Sequence, residues 1–80
     1  MWKEEHKTLT RTFKFKNFSQ AFSFMTQVAI EAEKLNHHPN WSNEYNVVNI
    51  TLSTHDAGNI ITKKDRELAK AIDGLLEDAG

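Results

Sequence analysis

"TLTRTFKFKNFSQAFSFMTQVAIEAEKLNHHP", residues 8–39, decides the fold, because the spacing of its hydrophobic residues changes once along its length. In residues 9–15 the side chains of one face alternate with threonine and lysine, which is the pattern of a strand with one dry face. That face comprises Leu9, Arg11, Phe13 and Phe15. From residue 18 the apolar residues recur at helical spacing. The stretch therefore predicts a strand followed at once by an amphipathic helix.

Both ends of the predicted helix carry recognisable signals. Asn17 is a good N-cap, and Gln20 is placed to reach back to the backbone amide of Asn17, as in a capping box. Pro39 cannot continue a helix and restricts the backbone of His38, so the helix must end around residues 35–37. We expect its buried stripe to comprise Phe18, Ala21, Phe22, Met25, Val28, Ala29, Ala32 and Leu35, with Phe24 at the edge.

The rest of the chain predicts three further strands and a second helix. Residues 2–6 are a candidate hairpin partner for the first strand. After Pro39 the sequence predicts a short extended segment, a tight connection at residues 45–46, and a strand over residues 47–54. The buried face of that last strand is expected to contain Val48, Ile50 and Leu52.

The residues "DAGN", 56–59, predict a loop, after which Thr62 and Asp65 form a second capping box. The helix that follows is expected to bury Leu68, Ala69, Ile72, Leu75 and Leu76. The element order ββαββα predicts an α+β fold over a single domain, residues 1–80. We expect a four-stranded antiparallel sheet with both helices packed on one face.

Composition narrows the classes of function. The chain has 80 residues, 10 basic and 11 acidic side chains, a formal charge of −1 and no cysteine. It has no net positive field to attract nucleic acid, and no apolar run approaches the roughly 20 residues that span a bilayer. The start, "MWKEEHK", lacks the apolar stretch of a secretory signal. We expect a cytoplasmic or nuclear protein that binds neither nucleic acid nor membranes.

A domain of this size has a thin core, and without cysteine it has no disulfides to support it. One face of the predicted sheet is also left uncovered. Ile30 lies opposite much of the buried stripe of the first helix, a modest indication of a second buried face. We therefore expect a homodimer or a homotetramer.

Three histidines form the candidate chemical site. His37 and His38 precede Pro39, the only proline. His37 falls at the helix end, where the carbonyl groups favour an imidazolium, and Pro39 holds His38 extended, so the two rings should diverge. His55 ends a strand whose hairpin partner starts just after Pro39, so it can meet them in space. Imidazole, with an ordinary pKa of about 6.5, gives or takes a proton at neutral pH.

Each candidate residue also has a simpler interpretation. A histidine pair at a helix end is most often a cap and dipole partner, and His55 can be a polar strand end. Asp65 is explained by its capping box and Glu33 by an exposed helix position. Trp41 and Tyr45 are typical core or hairpin aromatics. A zinc site of three histidines ranks low, because adjacent rings point apart and no i,i+4 ligand pair is present.

The spaced pattern as a whole resembles a known family. Residues 33–65, "EKLNHHPNWSNEYNVVNITLSTHDAGNIITKKD", resemble the pterin-4a-carbinolamine dehydratases, also known as the dimerisation cofactor of a homeodomain transcription factor. The residues that carry the resemblance are Glu33, His37, His38, Pro39, Tyr45, His55 and Asp65. The similarity extends into both flanking helices and covers most of the chain. Family members often carry a further helix before the segment equivalent to "MWKEEHK".

The resemblance implies an enzyme that dehydrates 4a-hydroxytetrahydropterin to quinonoid dihydropterin, recycling the cofactor of aromatic amino acid hydroxylases. The pterin is then the substrate, and no metal or other cofactor is required. By analogy His37 and His55 transfer protons, while His38 binds the pterin and stabilises developing charge. The residues expected to bind the substrate or to support the histidines are Glu33, Trp41, Ser53, Thr54 and Asp65.

Two other functions remain open. In the first, the chain is an interaction protein that stabilises a transcription-factor dimer, the second role attached to animal members of that family. Its decisive residues would then be exposed apolar positions on the long helix, such as Ile30 or Phe24. In the second, the enzyme acts on a related pterin. A transcription factor and an aromatic amino acid hydroxylase are therefore the candidate protein partners.

Overall fold

The computed structural model describes residues 1–79, with side chains through residue 76. Its elements are β1 (Lys3–Glu5), β2 (Thr8–Lys14), α1 (Phe18–Leu35), β3 (Asn40–Glu44), β4 (Val47–Leu52) and α2 (Lys63–Ala79), with a 3₁₀ turn at His55–Ala57 between β4 and α2. The predicted order ββαββα is confirmed. Within these described residues, neither helix is long and apolar enough to cross a membrane.

The four strands form one antiparallel sheet in the order β1-β2-β4-β3. The β1–β2 turn has φ angles of 50° at His6 and 64° at Lys7, a pair of left-handed residues that suits the twist of a two-residue hairpin. The β3–β4 turn contains Tyr45 at φ 51°, which confirms the predicted tight connection. β4 ends at Leu52, two residues before the predicted end, since Thr54 makes only an isolated bridge to Ile60.

The core lies between one face of the sheet and the two helices, as predicted. The buried apolar residues are Leu9 and Phe13 of β2, Val48, Ile50 and Leu52 of β4, Ala21, Phe24, Val28 and Ala32 of α1, and Leu68, Ala69 and Ile72 of α2. The other face of the sheet is polar: Thr12 donates a hydrogen bond of 2.6 Å to Asn49. Large exposed apolar side chains lie instead on α1, at Phe18, Phe22 and Ile30, and in turns and loops, at Tyr45 and Ile60.

The buried stripe of α1 differs from the prediction. Phe24, expected at the edge, is 6% exposed and lies in the core, whereas Phe18 and Phe22 are 49% and 57% exposed. Ala29 is also exposed. The apolar residues of α1 fall on two stripes about a quarter-turn apart, and the sheet and α2 cover only one of them. The prediction of a single broad buried stripe was therefore wrong for Phe18, Phe22 and Ala29.

α1 begins at its predicted N-cap, with one correction, and ends at a cap residue that was not predicted. Asn17 accepts a 2.8 Å hydrogen bond from the Gln20 amide, but Gln20 accepts from the amide of Lys16 and not from that of Asn17. At the other end, Asn36 is left-handed with φ 50°. The His37 amide donates a hydrogen bond of 3.0 Å to the Ala32 carbonyl, which is the hydrogen bond of a Schellman motif that spans six residues. This turn directs the chain into the core at His37, which is 9% exposed.

The first hairpin is fastened to α2 by side chains. Asp73 accepts hydrogen bonds from the Trp2 indole at 2.9 Å and from Arg11 at 2.6 Å. Arg66 forms an exposed ion pair with Glu4 at 2.8 Å. These contacts hold α2 against the sheet beside β1 and β2, which fixes where its first turn lies.

We expect Gly74→Ala to raise the free energy of unfolding by about 0.5–1 kcal/mol, because glycine is a poor helix residue. An added Cβ meets no atom within 4 Å at this position. Gly58→Ala is the matched control: its Cβ also meets nothing within 4 Å, but the φ of +88° is strained for alanine, so it should destabilise. Urea unfolding of both variants checks this, and a destabilised Gly74→Ala would contradict it.

Candidate active site

The end of α1, the end of β4 and the first turn of α2 meet at one end of the sheet. His37, His38 and His55 together line a cavity of about 290 Å³ there, with Ser53 and Thr54 also in its wall. The cavity is lined in addition by three residues that the sequence did not single out, Asn36, Asp56 and Lys64. The three histidines predicted to meet are thus brought to one place.

His37 is held by a buried carboxylate. Its Nε2 lies 2.5 Å from Oδ1 of Asp65, whose side chain is 0% exposed. A carboxylate can only accept, so Nε2 carries the hydrogen. Nδ1 is then the ring nitrogen at which His37 can gain or lose a proton.

Asp65 is satisfied from several sides. Its Oδ2 accepts 2.8 Å hydrogen bonds from the Thr54 hydroxyl and from the Thr62 amide. Because Thr54 donates to Asp65, the 2.6 Å contact between the two threonine hydroxyls requires Thr62 to donate to Thr54. The Thr62 amide bond is the reciprocal half of the predicted capping box, so one residue caps α2 and holds His37.

The pKa of Asp65 reflects this environment. Burial acts to raise it, but the hydrogen bond from His37, those from Thr62 and Thr54, and the electrostatic interaction with His37 together outweigh burial and leave the pKa below its ordinary value of 3.8. Asp65 is therefore ionised at neutral pH.

His38 contacts a different carboxylate from the one that His37 contacts. Its Nε2 lies 2.5 Å from Oε2 of Glu33, and the two side chains are 60% and 75% exposed. Glu33 is therefore a partner of His38 and more than an exposed helix residue. At this exposure the pair orients the ring but contributes little to the stability of the fold.

His55 lies at the start of the 3₁₀ turn and is exposed. Its Nδ1 is 3.1 Å from Oδ1 of Asn59. His37 and His38 are bonded through Nε2 to carboxylates, whereas His55 is bonded through Nδ1 to a neutral amide. Among the described residues, His37 and His38 therefore leave Nδ1 without a hydrogen-bond partner, whereas His55 leaves Nε2.

Two aromatic residues of the pattern lie elsewhere. Trp41 is half-buried and lines a neighbouring cavity of about 270 Å³ together with Pro39 and His38. Tyr45 is 63% exposed in the β3–β4 turn, at the opposite end of that hairpin from the histidines. Trp41 can thus shape the surroundings of His38, while Tyr45 makes no part of the site.

Of the site residues that were not predicted from the sequence, Asn36 could have been predicted as the left-handed cap residue after α1. Asp56, Asn59 and Lys64 carry no signal of their own, since the first two reach the site through the path of the loop and Lys64 through the placement of the first turn of α2. In the part of the chain that the structure describes, no three histidine, aspartate or glutamate side chains converge as metal ligands.

The candidate site is thus a polar cavity with three histidines, one of them backed by a buried carboxylate, and imidazoles in such a cavity are suited to acid–base chemistry. Residues 1–75 match the model of the family described as Pterin 4 alpha carbinolamine dehydratase. The chain belongs to this family.

Individual relatives support this family assignment. A protein of Rhodospirillum rubrum named "Putative pterin-4-alpha-carbinolamine dehydratase" is 60% identical over 68 residues, which are 85% of this chain and 70% of the relative. A Prochlorococcus marinus protein of the same name is 52% identical over 75 residues, 94% of this chain and 78% of the relative.

Two solved structures share the fold. The crystal structure of a transcriptional coactivator/pterin dehydratase from Brucella melitensis superposes with a TM-score of 0.86 at 47% identity, over 91% of this chain and 79% of that one. A pterin dehydratase-like protein identified as a RuBisCO assembly factor in the alpha-carboxysome gives 0.77 at 30% identity, over 92% and 87%. Proteins of this fold are thus described as a transcriptional coactivator/pterin dehydratase and as a RuBisCO assembly factor.

Proposed function

We propose that this protein catalyses the dehydration of 4a-hydroxytetrahydropterin to quinonoid dihydropterin and water. The observation that carries the proposal is the shared cavity of His37, His38 and His55, with an ionised, buried Asp65 behind the first of them. Family membership supports the class of reaction. A cavity of about 290 Å³ lies at the lower end of the size range of small-molecule sites.

The reaction needs one acid and one base. The acid protonates the 4a-hydroxyl as the C4a–O bond breaks, the N5 lone pair forms the new double bond to C4a, and the base removes a proton from a ring nitrogen. Water leaves, and the proton balance between acid and base is restored through solvent. Imidazoles suit both steps at neutral pH.

The contacts of the rings support distinct roles. Asp65 keeps the hydrogen on Nε2 of His37, so only Nδ1 exchanges protons with a ligand. His55 faces the same cavity with its Nε2 free. We assign the proton transfers to these two rings and leave open which is the acid, because a 4a-hydroxyl can lie on either face of the pterin.

His38 is assigned to binding the pterin and stabilising its charge, since Glu33 orients it from outside the cavity. Ser53 and Thr54 in the cavity wall supply further polar contacts. Trp41 would contribute through the adjoining apolar cavity, beside any part of the substrate that extends past His38.

The test is the decay of the 4a-carbinolamine absorbance, with the compound generated by a phenylalanine hydroxylase during turnover. Added protein should accelerate the decay, and His37→Ala should remove most of the acceleration. No acceleration by the parent protein, with the hydroxylase shown to be active, would overturn the proposal. Repeating the assay with pterins of different side chains would then show whether a related pterin is the substrate, and whether the hydroxylase is a natural partner.

A binding role is the second candidate, and the exposed apolar surface of α1 favours it. The related folds described as a coactivator and as an assembly factor support such a role. Ile30 is 52% exposed and can contact a partner. Phe24, which was also expected to contact a partner, is only 6% exposed and lies in the core. The test is the binding of a transcription factor to two variants. Binding that is kept in His37→Ala but lost in Ile30→Glu would separate this role from the enzymatic one.

We propose a second copy of the chain as the occupant of the α1 surface formed by Phe18, Phe22, Met25 and Ala29. Their 4-3-4 spacing is that of a helix–helix seam, and Phe18 and Phe22 stack at 5.9 Å between ring centroids. The two large aromatic rings are about half exposed or more, an unusual amount of apolar surface for so small a domain.

We expect Phe22→Glu to lower the oligomeric mass measured by light scattering, because it places a charge in the centre of this seam. Lys14→Glu, on the polar face of the sheet, is the matched control and should leave the mass unchanged. An unchanged mass for Phe22→Glu would remove α1 from the interface.

A further inference from the structure

A carboxamide in the loop after β4 lies against one of the three site histidines. Oδ1 of Asn59 is 3.1 Å from Nδ1 of His55. An amide oxygen can only accept, so the ring nitrogen that it meets carries a hydrogen. We propose that Asn59 is a positioning residue for His55: it holds the hydrogen on Nδ1 and leaves Nε2 as the nitrogen that exchanges a proton with the substrate.

The loop backbone builds this contact. The Gly58 amide donates to the His55 carbonyl at 3.0 Å, and the Asn59 amide donates to the Thr54 carbonyl at 3.0 Å. The Thr54 amide in turn donates to the Ile60 carbonyl at 2.8 Å, which closes the loop. Asn59 has a φ of 60°, a left-handed conformation that asparagine tolerates better than most residues. His55 and Asn59 are therefore held four residues apart and facing each other.

The tautomer matters because a neutral imidazole has only one unprotonated nitrogen. His37 and His38 are bonded through Nε2, so each leaves Nδ1, the nitrogen nearer its own backbone, free. His55 is bonded the opposite way and leaves Nε2 at the tip of the ring. Because Asn59 occupies Nδ1, Nε2 is the nitrogen of His55 that remains for a ligand in the cavity that this residue lines.

Asn59 assists an exposed ring with a neutral hydrogen bond, so its effect should be moderate. We expect Asn59→Gly to lower kcat by about threefold to tenfold, with KM little changed. Glycine is the chosen replacement because it accepts the left-handed backbone and removes only the carboxamide. Asn59→Asp keeps an acceptor at the same place and should restore most of the rate.

The catalytic half of this proposal rests on the proposed dehydratase activity, whereas the tautomer can be measured without it. Imidazole ¹⁵N shifts at about pH 8, above the ordinary histidine pKa of about 6.5, report which nitrogen carries the hydrogen. His6 serves as an internal reference, since its side chain makes no hydrogen bond among the described residues. We expect the Nδ1–H form for His55 in the parent and in Asn59→Asp, and a mixture like that of His6 in Asn59→Gly.

Two results would overturn the proposal. An Nε2–H form of His55 in the parent would mean that the amide NH₂ of Asn59, and not its oxygen, faces the ring. Parent-like kcat in Asn59→Gly, with its thermal unfolding unchanged, would mean that the contact has no part in catalysis. If the parent is inactive, the dehydratase proposal and the catalytic role of Asn59 fall together, while the ¹⁵N shifts still decide the tautomer.

Discussion

We expect His55→Ala to lower kcat/KM for 4a-hydroxytetrahydropterin by about 10²–10⁴-fold, a barrier increase of about 3–5 kcal/mol, while the free energy of unfolding stays nearly constant. The side chain of His55 is exposed, and its one side-chain hydrogen bond among the described residues is with Asn59. Its removal therefore takes a proton-transfer group from the site without opening the core.

This variant separates chemistry from folding better than His37→Ala does. His37 is 9% exposed and is the charge partner of buried Asp65, so its loss disturbs both activity and stability. The matched control is His6→Asn, because asparagine tolerates the φ of 50° at that turn. Stopped-flow dehydration rates and urea unfolding should be measured on both variants. Full activity in His55→Ala would remove the ring from the mechanism, and equal losses in both would point to a general effect.

The sequence predicted the architecture because each element carries its own signal. The alternation in β2 and the N-cap Asn17 depend on local physics, and the structure agrees with them. The face of α1 was misjudged since its apolar residues exceed what one contact surface covers. Which of two adjacent stripes is buried depends on where α2 and the sheet lie, and that is not encoded in the period of α1.

About as much of the candidate site as of the fold could be predicted from the sequence. His37, His38 and His55 could be brought together from the strand and helix ends alone. Glu33 and Asp65 were expected to support the histidines, but which carboxylate meets which ring could not be predicted. The His37–Asp65 pair depends on how the first turn of α2 packs against the end of α1, and the His38–Glu33 pair depends on the left-handed turn at Asn36. Asn59 was unreadable because its contact with His55 depends on two left-handed residues in the loop.

We expect Asp65→Asn to lower the free energy of unfolding by about 2–4 kcal/mol near pH 7. Asp65 is 0% exposed and accepts hydrogen bonds from His37, Thr54 and the Thr62 amide. Asparagine places an NH₂ group where one of these donors points and removes the charge opposite His37, and hydrogen bonds to a buried charge contribute about 1.5–3 kcal/mol each. Asp73→Asn is the matched control: its carboxylate, 39% exposed, pairs with Arg11 and should cost at most about 1 kcal/mol.

The pH dependence distinguishes the charge of Asp65 from its shape. The pKa of Asp65 is lower in the folded protein than its ordinary value of 3.8, because the bonds from His37, Thr62 and Thr54 outweigh burial. The unfolded chain thus binds the proton more tightly, so this contribution to stability is complete above the ordinary pKa and is lost as the pH falls through the folded one. The stabilities of the parent and of Asp65→Asn, measured by urea unfolding, should therefore differ most above about pH 5, and the difference should shrink as the pH falls below the ordinary pKa of 3.8. A difference that stays constant down to about pH 3 would show that the shape of the side chain, and not its charge, stabilises the first turn of α2.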